Sequence, residues 1–128
     1  MKIEHLAIWV KDLEGMKTFY STFFGTISGE KYQNPNTEFT SYFLRFKDGP
    51  KLELMHRPDV VHRPNDKEEH LGITHFAISV GTKKQVDRLT EQIREAGHEI
   101  VGEPRTTGDG YYESVVLDPE NNRIEITE

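Results

Sequence analysis

The sequence predicts an α+β fold made of two tandem βαβββ modules within a single domain of 128 residues. Three observations predict it. The run HLAIWV at residues 5–10 has a near copy, HFAISV, at 75–80. Each copy is followed by one stretch with helical apolar spacing and then by three strand-like runs. Each half ends on a glutamate between two apolar residues, LEL at 52–54 and IEI at 124–126. One such module has a single helix to cover a single sheet face, too little for a core alone, so the two modules must pack with each other or with a partner's.

The first module spans residues 1–56. Residues 3–10 read as a strand, and Asp12 can cap a helix whose apolar residues Met16, Phe19, Tyr20, Phe23 and Phe24 recur at helical spacing, with Gly25 as its stop. That aromatic stripe is core, not a cofactor platform. Strands follow at 26–33, 39–46 and 51–56, separated by NPN and DGP turns. The second module, 73–128, repeats the order. A strand at 74–80 leads to Thr82 and Gln85 as a capping box, then to a helix carrying Val86, Leu89 and Ile93 and closed by Gly97. Strands at 99–103, 111–117 and 123–127 complete it, the last turn being DPENN. The polar, proline-containing segment 57–72 reads as a surface linker.

Composition excludes several classes of function. Seven Phe, five Tyr and one Trp supply a core, so the chain folds. Lys and Arg number 16 against 22 Asp and Glu, a net charge of -6 with no long basic run, which argues against a nucleic-acid partner. Cysteine is absent, so there is no disulfide, no thiolate ligand and no cysteine nucleophile; a metal would have to be held by His, Asp and Glu. The first ten residues offer no signal-peptide core and no apolar run reaches the length of a membrane span, so a cytoplasmic protein without a membrane partner is expected.

Strand alternation gives the repeat its chemistry. Glu53 points away from Leu52 and Leu54, and Glu125 away from Ile124 and Ile126. His5 is in phase with Ala7 and Trp9, and His75 with Ala77 and Ser79. Each half therefore offers one His and one Glu on the sheet face its helix does not cover. Taken singly, each reads as a solvated strand position. A repeat that preserves all four has no packing reason to do so, and pairing of the halves would gather two imidazoles and two carboxylates. Such a set suits Ni2+, Zn2+, Co2+, Mn2+ or Fe2+.

The pieces HLAIWVKDLEGMKTFYSTFFG, KLELM, GITHFAISV and LDPENNRIEI resemble the vicinal oxygen chelate superfamily of glyoxalases, bleomycin-resistance proteins and dioxygenases, most closely glyoxalase I. The resemblance spans nearly the whole chain. It implies that the two sheets curve into an open barrel around a divalent metal held by His5, Glu53, His75 and Glu125. It further implies a lyase or isomerase that moves a proton alpha to a carbonyl through a metal-stabilised enediolate, with Glu53 or Glu125 as the base. A small-molecule substrate, which could be a thiol conjugate, and a homodimer are implied as partners. The alternatives are a sequestering protein of the bleomycin-resistance kind, and a metal-dependent thiol transferase or dioxygenase. The chain departs from glyoxalase I at Trp9, where that family carries an arginine for the glutathione carboxylate, and at MHRPD, which lacks an expected asparagine.

Three further residues are candidates for a substrate cavity: Trp9, as an apolar wall or a dimer contact, Arg57 as an anion clamp and Tyr111 from GDGYY. His56 should face the opposite side of its strand from Glu53. His62, His70 and His98 sit in polar or loop surroundings and are weak ligand candidates.

Overall fold

A computed structural model describes residues 1–61 and 71–128. His62 and His70, with most of the expected linker, lie outside the described residues. The chain divides into two compact units, Met1–Pro64 and Asn65–Glu128. Each holds one helix and one mixed sheet, so the fold is α+β with two βαβββ modules.

The first module runs β1 (His5–Trp9), α1 (Leu13–Phe24), β2 (Ile27–Ser28), β3 (Tyr32–Asn34), β4 (Phe39–Arg45) and β5 (Lys51–His56). Its sheet has the order β1-β5-β4-β2, with β3 also on β4. β1 lies parallel to β5 and the other pairs are antiparallel. Helix α1 starts where Asp12 accepts a hydrogen bond from the Gly15 amide and ends at Gly25, whose φ of 62° is the left-handed turn that glycine takes without strain. Met16, Phe19 and Tyr20 are buried with Tyr42, Leu44, Leu52 and Leu54 between helix and sheet.

The single strand expected at 26–33 is two short pieces. Ser28 pairs with Leu44 and Tyr32 with Ser41, so four steps on one strand oppose three on its neighbour. That one-residue excess is a β-bulge; the Gly29 amide still donates to the Phe43 carbonyl at 2.9 Å, and regular pairing resumes at Tyr32.

The second module runs β6 (His75–Ser79), α2 (Lys83–Glu95), β7 (Ile100–Thr106), β8 (Tyr112–Leu117) and β9 (Arg123–Thr127), with the sheet order β6-β9-β8-β7. β6 is parallel to β9, as β1 is to β5. Thr82 caps α2 by accepting from the Gln85 amide, and the His98 amide closes the far end on the Ile93 carbonyl, with Gly97 at φ 87° between. β7 runs through Pro104 to Thr106, three residues beyond the strand expected at 99–103. An edge strand tolerates a residue with no N–H. Among the described residues no helix is long and apolar enough to cross a membrane.

The two cores are filled differently. Tyr42 pairs with Leu54, and the matching pair in the second module is Ser114 with Ile126. Tyr20, eighth residue of α1, is matched by Thr90, eighth of α2. Thr90 and Ser114 are fully buried and hydrogen-bond each other at 2.6 Å, while Thr90 donates to the Val86 carbonyl at 2.7 Å. Asp118 is also buried, and its carboxylate accepts from the Glu120 and Asn122 amides to set the DPENN turn.

Outside the first core, Glu14 ties α1 to the sheet. Lys17 at 2.6 Å and Lys31 at 3.0 Å hold its carboxylate, Tyr42 donates to it at 3.0 Å, and its pKa falls to about 2.

Two predictions follow from this packing. Thr90→Val leaves the Ser114 hydroxyl without its partner and costs about 1–3 kcal/mol in chemical denaturation; adding Ser114→Ala recovers part of that loss, and strict additivity would refute the coupling. For Glu14 the folded-state pKa is depressed, so its contribution is present above the ordinary 4.5 and lost as pH falls from there toward 2. An NMR carboxyl titration should give a midpoint near 2 that moves upward in Lys17→Gln.

Candidate metal centre

Parallel pairing of β1 with β5 sets His5 beside Lys51, Ala7 beside Glu53 and Trp9 beside Met55. Leu52 and Leu54 are buried under α1, so by alternation Glu53 stands on the opposite face with His5. The His5 Nε2 atom lies 3.7 Å from Glu53 Oε2, and the Glu53 side chain is only 14% exposed. The other ring nitrogen, Nδ1, is 2.6 Å from Glu4 Oε2. Lys51 and then His5 hold the Glu4 carboxyl below its ordinary value. Phe43, in register with Glu53, meets the imidazole edge-on at 5.4 Å between ring centres.

The second module repeats this arrangement. His75 Nε2 lies 3.1 Å from Glu125 Oε1, and Nδ1 is 2.9 Å from the Thr74 hydroxyl. In both modules, then, Nε2 faces the carboxylate while the residue just before the histidine engages Nδ1. A ligating histidine needs that orientation, because a bond at one ring nitrogen fixes the ring and leaves the other for a metal. Imidazole nitrogen and carboxylate oxygen both suit divalent first-row ions, so each pair supplies donors of the right kind for part of such an ion's coordination. Among the described residues no three His, Asp or Glu side chains gather closely enough to hold an ion.

Two features of the second module escaped the strand pattern. Glu113 stands two residues before Val115, which is in register with Glu125. Burial pushes its carboxyl up, the Glu125 charge pushes it further, and Arg105 opposes both. A cavity of about 510 Å³ opens on the same sheet face, lined by His75, Glu125, Arg123, Val115, Gly102 and Arg105 among others. The phase of YESVVL could have shown Glu113. Arg105 could not be found that way, because β7 is bulged.

The remaining candidates fall elsewhere. Trp9 is 42% exposed, with the Arg57 guanidinium over its ring at 5.4 Å and Phe39 edge-on at 6.0 Å. Arg57 also pairs with Asp59. His56 turns its Nδ1 to the Val10 carbonyl at 3.0 Å, away from Glu53. Tyr111 is exposed just ahead of β8, while its neighbour Tyr112 donates to Asp87 of α2 at 2.7 Å.

Comparison with known proteins bears on the fold and the family. An uncharacterized protein of Bacillus subtilis (strain 168), YqjT, is 25% identical over 127 residues, covering 97% of this chain and 96% of its own. The crystal structure of glyoxalase I from Zea mays matches with a TM-score of 0.77 at 25% identity, over 98% of this chain and 44% of that one. The trypanothione-dependent glyoxalase I of Leishmania major matches with a TM-score of 0.79 at 24% identity, over 100% of this chain and 86% of that one. Residues 2–126 match the superfamily as a whole. The chain therefore belongs to the Glyoxalase/Bleomycin resistance protein/Dioxygenase superfamily.

Proposed function

We propose that this protein is a divalent-metal-dependent lyase or isomerase of the glyoxalase I type, acting on a small carbonyl substrate or its thiol conjugate. The observation that carries the reading is the duplicated pair, His5 with Glu53 and His75 with Glu125, each with Nε2 facing the carboxylate. These four residues hold the metal, Ni2+ or Zn2+ foremost, and are supplied by two modules of one chain or of two copies in a homodimer. When bound, the ion polarises a substrate carbonyl and stabilises negative charge that develops beside it.

The chain's own groups do the rest. Glu53 or Glu125 takes the proton from the carbon next to the carbonyl. The C–H electron pair stays with the substrate, and the same carboxyl returns the proton to the neighbouring carbon. Low exposure of both glutamates keeps water from competing for that proton. Trp9, with Arg57 over its ring, forms an apolar wall where glyoxalase I has its glutathione-binding arginine, so hemithioacetals of other thiols belong in any substrate screen.

Elemental analysis of the untagged protein after exposure to Ni2+ or Zn2+ should give near-stoichiometric metal, reduced in Glu53→Gln and Glu125→Gln. Turnover of a hemithioacetal or an epimerisable acid should fall about 10²- to 10⁴-fold in the variant lacking the base. Failure to bind Ni2+, Zn2+, Co2+, Mn2+ or Fe2+ after reconstitution would sink the enzyme and leave a sequestering protein. The residues behind the histidines give a separate test. Glu4→Gln and Thr74→Val should each weaken metal binding by about 10- to 100-fold in a competition titration with a coloured chelator. Unchanged affinity in both would show that the Nδ1 contacts do not orient the ligands.

A further inference from the structure

Gly102 and Arg105 are three residues apart, a spacing that in an unbroken strand puts them on opposite faces. Two bulges in β7 undo this. Between Ile100 and Arg105 the facing strand advances only from Val116 to Glu113, so Gly102 pairs with Val115 and Arg105 with Glu113. Val115 and Glu113 are two apart on one strand and share a face, and Val115 is in register with Glu125. Gly102 and Arg105 therefore both join the face that carries the His75–Glu125 pair.

The arginine also leans toward that pair. A Cβ built at Gly102 would stand 3.2 Å from Arg105 Nη1, so the guanidinium lies over the space the glycine leaves, in the row of Val115 and Glu125. Arg123, in register with His75, lines the same cavity from the far side. Of the acids around it, Glu103 is engaged by Arg94 of α2 at 2.7 Å and Glu125 faces His75. Glu113 is 3.8 Å from Arg105, wider than a hydrogen bond, so the planar fork keeps donors for a ligand.

The geometry points to Arg105 as the recognition residue for an oxyanion, a carboxylate or a phosphate ester, carried by the substrate that occupies this cavity. The inference rests on the proposed metal-dependent reading for what lies beside the oxyanion, while the arginine contact belongs to the chain itself. Gly102 serves as the seat of the guanidinium and Arg123 adds positive charge at the far rim.

The test is calorimetric titration of the full-length protein, metal-free and Ni2+-treated, with lactate, glycerol 3-phosphate and the uncharged lactamide. At least one of the two anions should bind about tenfold more tightly than lactamide. Whichever does identifies the oxyanion. The preference should vanish in Arg105→Gln and shrink in Gly102→Ala, which keeps the charge but crowds the guanidinium. Circular dichroism and metal content matching the unaltered protein would show that Arg105→Gln is folded with its ligands intact. Equal binding of all three compounds, or a preference unchanged in Arg105→Gln, overturns the inference. An Arg105-dependent preference in a protein that takes up no metal supports this inference and removes the metal reading; metal uptake with no preference does the reverse.

Discussion

The parallel register between the first and last strand of each module is the constraint on which the rest depends. A one-residue slip of β5 along β1, or of β9 along β6, would exchange the faces of every side chain in that strand. Leu52 and Leu54, or Ile124 and Ile126, would leave the helix for solvent, and the glutamate between them would enter the core. Hydrophobic burial under the helix therefore sets the position of the carboxylate, although the carboxylate contributes nothing to that burial. The histidine is placed in the same way, by Leu6 and Ile8 in one module and Phe76 and Ile78 in the other. Chemistry on one face is positioned by packing on the other.

Within that common frame the modules have diverged. The His–Glu gap is 3.7 Å in the first and 3.1 Å in the second. The first module surrounds its pair with Phe43, Lys51 and Glu4, and keeps Trp9 and Arg57 farther along the sheet. The second has a second acid, Glu113, and two arginines on the cavity walls. Both sets carry charge, but only the first adds aromatic rings, Phe43 beside its pair and Trp9 on the same strand as His5.

Much of this was readable in the sequence because it depends on alternation and on caps. The near copy of HLAIWV in HFAISV, the triplets LEL and IEI, Asp12 with Gly25, and Thr82 with Gln85 all act through local rules that hold whatever the tertiary context. The features that escaped lie where alternation breaks. The bulge between Ser28 and Tyr32 splits one expected strand in two, and the bulges around Gly102 carry β7 beyond Pro104 and turn Arg105 to the cavity face. A bulge is set by pairing with a neighbouring strand, so nothing within five or six residues of sequence announces it. Glu113 was in phase all along, but a glutamate on a strand calls for no comment until its neighbour across the sheet is known.

The unlike fillings of the two cores bear on how the chain assembles. Tyr20 and Tyr42 lie between α1 and its sheet, whereas Thr90 and Ser114 lie at the matching places between α2 and its own. Docked on the wrong sheet, α1 would press a phenol ring into space shaped for a small hydroxyl, and α2 would leave a void and an unpaired hydroxyl under the first sheet. A tandem repeat whose halves had stayed interchangeable would risk such helix exchange, between halves or between neighbouring chains. Divergence of two buried positions fits each helix to its own sheet, so correct docking is favoured in the core, on the side of each sheet away from its His–Glu pair.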